Sequence, residues 1–156
     1  MSDKLINRLK EALDRKLYNM PDEQREAERK AGEEFMRKQF AHMAFNDVLE
    51  YMKKNAAGIA FAVESKLVGR KKSFEQVGEE KLNLTIGTVS ADMELKDDHI
   101  EVTITKGDPP KDTRELSFYA RVQDGSIFLT RADSPISIYP DDVLGDILEV
   151  MIEMVD

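Results

Sequence analysis

The sequence has no cysteine and no tryptophan, and only two histidines, His42 and His99, among its 156 residues. Without thiols the chain cannot build a disulfide scaffold, a cysteine nucleophile or a Cys-ligated zinc or iron–sulfur site. Two imidazoles are too few for a multi-histidine metal centre or relay. Long apolar runs are missing as well. The longest, Ala56 to Val63, falls far short of the ~20 residues needed to cross a bilayer. The start, Met1-Ser2-Asp3-Lys4-Leu5, lacks the apolar segment of a secretory signal. There is no Gly/Ser linker, low-complexity tract or repeat of solenoid period. The expectation is a cytoplasmic protein, without membrane association and without a cofactor.

What is present suits one folded domain spanning residues 1–156. Leu, Ile, Val and Phe number 13, 10, 10 and 7, above the level at which charged chains stay disordered. The net charge of −8 is uneven. Residues 1–80 hold 16 Lys and Arg against 15 Asp and Glu, net +1; residues 81–156 hold 7 against 16, net −9. An acidic body repels nucleic acid and anionic membranes at long range. Residues 53–72 run the other way, with Lys53, Lys54, Lys66, Arg70, Lys71 and Lys72 against Glu64 alone, net +5.

Helical signals come first. Leu5, Ile6, Leu9, Leu13 and Leu17 form one stripe at three-to-four spacing, so a helix is expected from Asp3 to Tyr18, capped by the Ser2 hydroxyl. Asn19-Met20-Pro21 interrupts it, and a second helix starts near Pro21. Acid-before-base pairs four apart (Glu26–Lys30, Glu33–Arg37, Glu34–Lys38) support a solvated helix. Its apolar line of Ala27, Ala31 and Phe35 suggests close antiparallel approach to the first helix, a hairpin over residues 3–38. From Phe40 through Met43, Val48 and Met52 the second helix gains an apolar face. It is expected to weaken at Asn55 to Gly58. Residues 59–68 fit both periods; Gly58, Gly69 and the alternation of Ile59, Phe61, Val63 and Leu67 favour a strand. Residues 69–81 read as a connection, with Ser73 and Gln76 as a capping box for one helical turn.

Strand signals follow. Leu82, Leu84 and Ile86 alternate with polar neighbours, as do Ile100, Val102 and Ile104. Leu116, Phe118, Ala120 and Val122 face one way, while Ser117, Tyr119 and Arg121 face the other. Lys96 to His99 reads as a hairpin turn, and Asp124-Gly125 as a type I′ turn. Ile136 and Ile138 suggest a short edge piece. A last helix begins at Pro140, with Asp141 and Asp142 at its positive end. The expected fold is α+β: an N-terminal helical hairpin or long helix, an antiparallel meander of four to six strands, and a closing C-terminal helix.

Catalytic signals are weak. Asp97-Asp98-His99 offers ligand atoms but sits on a tight turn without calcium-loop spacing. His42 has no H-E-x-x-H partner, and no nucleophile-elbow pattern occurs. No catalytic or metal-binding residue is assigned. The C-terminal helix is wet on one narrow stripe only (Asp142, Asp146, Glu149, Glu153, Asp156). Leu144, Ile147, Leu148, Met151, Ile152, Met154 and Val155 therefore read as candidate interface residues, because so wide an apolar arc needs two neighbours, the sheet on one side and helix two or a second protein chain on the other. Eight methionines suit adaptable contacts as well as core filling. The small size, acidity and α+β make-up resemble bacterial secretion chaperones, which are dimers that bind disordered client segments. The order differs here, with two long helices preceding an uninterrupted run of strands, and no residue is carried over.

Three readings follow. The first is a non-catalytic protein-interaction module, adaptor or chaperone-like, with a protein partner and self-association as a homo-oligomer through amphipathic helices. The second is phosphate or nucleic-acid binding through Lys66, Arg70, Lys71 and Lys72, disfavoured by the overall charge and by the lack of interleaved aromatics. The third is a ligand-binding or enzymatic domain, with a pocket between sheet and long helix lined by Phe45, Phe61 and Phe118.

Overall fold

A computed structural model describes residues 2–156, with the side chains of Asp3–Asp156. The expected Ser2 hydroxyl cap therefore lies outside the described residues. Ten elements follow in order. Two helices, α1 (Ser2–Tyr18) and α2 (Asp22–Lys66), precede seven strands and a final helix. The strands are β1 (Lys72–Gly78), β2 (Lys81–Ile86), β3 (Val89–Leu95), β4 (His99–Lys106), β5 (Asp112–Gln123), β6 (Ser126–Arg131) and β7 (Ser137–Ile138). Helix α3 (Pro140–Met154) closes the chain. The chain divides into two compact units, Met1–Phe35 and Met36–Asp156.

In the first unit, none of the residues 3–35 is buried. The Arg25 guanidinium donates to the carbonyls of Leu17 (2.9 Å), Tyr18 (3.0 Å) and Met20 (3.0 Å), closing off the C-terminal end of α1. The Leu17 carbonyl also accepts the Met20 N–H at 3.1 Å, and a cation at a helix C-terminus is favoured by the dipole. The close antiparallel approach of α1 to α2 expected from the sequence buries none of the residues 3–35. Ala27, Ala31 and the exposed Phe35 make too narrow a line to cover a stripe of five large side chains. Leu5, Ile6, Leu9, Leu13 and Leu17 keep 36–69% of their surface.

The second unit is built on a seven-stranded antiparallel sheet in the order β1-β2-β3-β4-β5-β6-β7, a strict meander. Alternation puts one face inward: Leu82, Leu84, Ile86, Ala91, Met93, Ile100, Val102, Ile104, Phe118 and Leu129 are all buried. From α2, Ala41, Ala44, Phe45, Val48, Leu49, Met52 and Val63 join the same core, as do Val143, Leu144, Ile147, Met151 and Met154 of α3. A fully buried side chain such as Phe45 contributes up to about 3 kcal/mol. The opposite sheet face carries Asn83, Asp92, Glu101, Thr103, Tyr119 and Arg121 in register. At the Asp124-Gly125 turn both residues have positive φ, 51° and 78°, as a type I′ hairpin requires. Gly87, at φ 60°, turns β2 into β3 with Val155 and Arg70 so near that a Cβ there would lie 3.1 and 3.2 Å from their side chains.

Three expectations are corrected. The meander has seven strands, one more than the upper expectation of six. Residues 59–66 are helix, not strand, so α2 passes through Asn55–Gly58 without a break. Ile59, Val63 and Leu67 extend the apolar line of Val48 and Met52 at helical spacing, and Val63 reaches the core. Residues 72–78 are strand β1 rather than a connection with a helical turn. The peptide groups of β1 pair with β2, and this ladder outweighs the capping box read at Ser73 and Gln76. The expected start of α3 holds: Pro140 opens the helix, and the Asp142 carboxylate accepts a hydrogen bond from the Tyr139 N–H at 2.8 Å.

Candidate functional site

On the solvent face of the sheet, β4, β5 and β6 bring polar and aromatic side chains together. His99 and Tyr119 are cross-strand partners, and so are Tyr119 and Thr130. The His99 and Tyr119 rings stack, with centroids 4.9 Å apart and planes 20° from parallel. The Arg121 guanidinium lies 5.6 Å from the Tyr119 ring centre, within cation–π range. Its Nε donates to Oγ1 of Thr130 at 2.9 Å. Thr130 is the polar side chain found fully buried among the described residues. Beyond Arg121 opens a cleft of about 510 Å³, lined by Val122, Gln123, Phe128 and the segment Ala132–Pro135.

At the other end of this row, His99 is held between two carboxylates. Nδ1 lies 3.1 Å from Asp98 Oδ1 and Nε2 lies 3.0 Å from Glu101 Oε1. Burial of the ring pulls its pKa down, but the hydrogen bonds and charges of Glu101 and Asp98 outweigh that and raise it above the ordinary histidine value. Asp98 also faces Arg37 of α2 at 3.8 Å. His42 and His99 both line an open cleft of about 650 Å³ with Lys38, Glu80, Lys96 and Asp97. No group of three or more metal-ligating side chains converges among the described residues. No long apolar helix among them could span a membrane.

The basic strip is drawn into the fold. Arg70 donates from Nε and Nη2 to the carbonyl of Asp156, at 3.1 and 2.6 Å. Lys72 forms an ion pair with Glu64 and donates to the Arg70 carbonyl at 2.7 Å. Hydrogen bonds from Lys72 and from the Gly69 N–H hold the Glu64 carboxyl below its usual range. Lys66 and Lys71 are exposed, and Lys66 borders the groove between the end of α2 and α3. Two of the four candidate phosphate ligands thus fasten the junction after α2 and the end of α3.

The candidate interface on α3 also divides. Leu144, Ile147, Met151 and Met154 are buried in the chain's own core. Leu148, Ile152 and Val155 instead line an apolar groove of about 480 Å³ with Ile59, Ala62, Val63 and Leu67 of the α2 end. One side of the arc faces the sheet, and the other borders α2 across this groove, where Ile152 stays 43% exposed. Of the aromatics read as pocket lining, Phe45 and Phe118 are core residues, while Phe61 is 78% exposed. They do not share a cavity.

The Arg121 cluster was missed at the sequence level, although Tyr119 and Arg121 were placed on the solvent-facing side. Its signal lies in register, which couples residues 99, 119, 121 and 130 across three strands. Comparison of the chain with protein-family models, with curated proteins and with solved structures finds no match.

Proposed function

We propose that this protein is a non-catalytic interaction module, adaptor or chaperone-like, that self-associates through its N-terminal helices. The observation that carries this is the open leucine stripe of α1. Leu5 is 69% exposed, Leu9 57% and Leu13 50%. A contiguous apolar stripe on a solvated helix marks an interaction surface.

The occupant is a second copy of the chain. α1 has five Lys and Arg against three Asp and Glu, net +2, whereas residues 22–35 have three against six, net −3. Antiparallel copies can set each positive helix beside a negative one. Area points the same way. A helix of 17 residues is about 26 Å long and about 10 Å wide, so α1 against α1 buries far too little for a specific dimer. Four pooled helices, α1 and the first turns of α2 from each copy, bury about 1,000 Å² in total, the threshold for a specific contact. The leucine stripes of the two copies would then meet at the centre of the four helices. The phosphate reading through Lys66, Arg70, Lys71 and Lys72 has less support, because Arg70 and Lys72 already hold internal partners.

Multi-angle light scattering on a dilution series of the full chain tests the proposal. A dimer that dissociates on dilution is expected, and the double substitution Leu9→Asp with Leu13→Asp should give a monomer with unchanged melting of the sheet unit. A wild-type chain that stays monomeric at about 200 µM, where a contact of this size associates, would overturn it.

A further inference from the structure

We propose that the cleft beside Arg121 binds a small zwitterionic amino acid with an apolar side chain, the Arg121 guanidinium taking its carboxylate and Asp133 its ammonium. This site is independent of the N-terminal helices.

Arg121 is a prepared cation. A buried hydroxyl needs a partner, and Thr130, fully buried, spends its hydroxyl oxygen on the Arg121 Nε. The Tyr119 ring holds the guanidinium from a second direction at 5.6 Å, and the stacked His99 in turn fixes that ring. An arginine needs no such support to be soluble. With Nε occupied, the two terminal nitrogens have no hydrogen-bond acceptor among the described residues. They present the end-on fork that matches a carboxylate bidentately.

The cleft supplies the rest. Its volume of about 510 Å³ lies within the range of small-molecule sites. Phe128 and Pro135 give it apolar walls, and Gln123 and Ser134 give it neutral polar groups. Asp133 lines the same cleft. A ligand carrying only a carboxylate would meet that like charge, and one carrying only an amine would meet Arg121. A zwitterion satisfies both, with its side chain against Phe128.

Titration calorimetry with L-phenylalanine as the probe tests this on the full chain. Saturable one-to-one binding is expected. Phenethylamine, which lacks the carboxylate, and hydrocinnamate, which lacks the ammonium, should each bind about 10- to 100-fold more weakly, the worth of a hydrogen bond to a charged group. Arg121→Lys keeps the charge but loses the fork, and should weaken phenylalanine by at least tenfold with unchanged melting. Thr130→Val keeps the shape and frees the guanidinium, and should weaken binding less than Arg121→Lys does. Absence of phenylalanine binding to the wild-type chain would overturn the proposal. So would equal binding of hydrocinnamate, or binding untouched by Arg121→Lys.

Discussion

Replacing Leu9 by alanine should weaken self-association about 100-fold while leaving the folded monomer almost unchanged. The side chain loses three carbons, worth about 2.4 kcal/mol if they passed from full exposure to full burial. Leu9 is 57% exposed in the single chain, so only about 1.4 kcal/mol of that is still to be gained on association. A symmetric dimer contains the site twice, which doubles the loss to about 2.7 kcal/mol, or two decades in Kd. Alanine is the better helix former, so α1 itself should not melt. Sedimentation equilibrium over a range of concentrations reads the Kd, and circular dichroism reads the helix. Phe61→Ala is the control, because Phe61 is more exposed than Leu9 at 78% but lies outside the stripe. A shift below about threefold for Leu9→Ala, or an equal shift for Phe61→Ala, would refute the argument from helix burial.

Two further outcomes follow from named contacts. The folded pKa of His99 is raised, so its contribution to stability is fully present below the unfolded value near 6.5 and is lost as pH rises through the folded value. Wild type should therefore melt above His99→Gln by a margin that is largest near pH 6 and shrinks towards pH 8.5; a margin that grows with pH would contradict the carboxylate clamp. Arg25→Gln removes the donors to the carbonyls of Leu17, Tyr18 and Met20, a local loss of about 1 kcal/mol. Faster amide exchange is expected in the last turn of α1 but not in the sheet, and unchanged exchange at residues 14–18 would show that the cap has no effect.

The legible parts of the fold were those where one period dominates. Leu82-Leu84-Ile86 and Ile100-Val102-Ile104 alternate because one sheet face is buried and the other wet, and Asp124-Gly125 suits a turn with two positive φ angles. β1 escaped notice because it is an edge strand in which no residue is buried, so its sequence carries no apolar alternation. Residues 59–66 were ambiguous because Ile59 and Val63 satisfy both periods. The arbiter is the core beside them, which Val63 enters from the helix. For the α3 arc the sequence leaves the second neighbour open between helix α2 and a second chain, and in the structure Leu148, Ile152 and Val155 line a groove with the end of α2. The Arg121 cleft was illegible for a similar reason: its meaning arises only when register places Thr130 and Tyr119 around the guanidinium.

The strict meander has a consequence for how the chain reaches this state. Every strand hydrogen-bonds to its neighbour in sequence, so each pairing closes only a short loop and its entropic cost is small. Such local pairing can proceed one hairpin at a time, from β1 towards β7, as the chain is synthesised. The exceptions are the helices. α2 is made first and its apolar residues must wait for the sheet, while α3, which packs on β3 and β4, arrives last. Until α3 arrives, the part of the inner sheet face on β3 and β4 that it covers stands open. The period of greatest exposure to aggregation therefore falls just before residues 140–154 are complete.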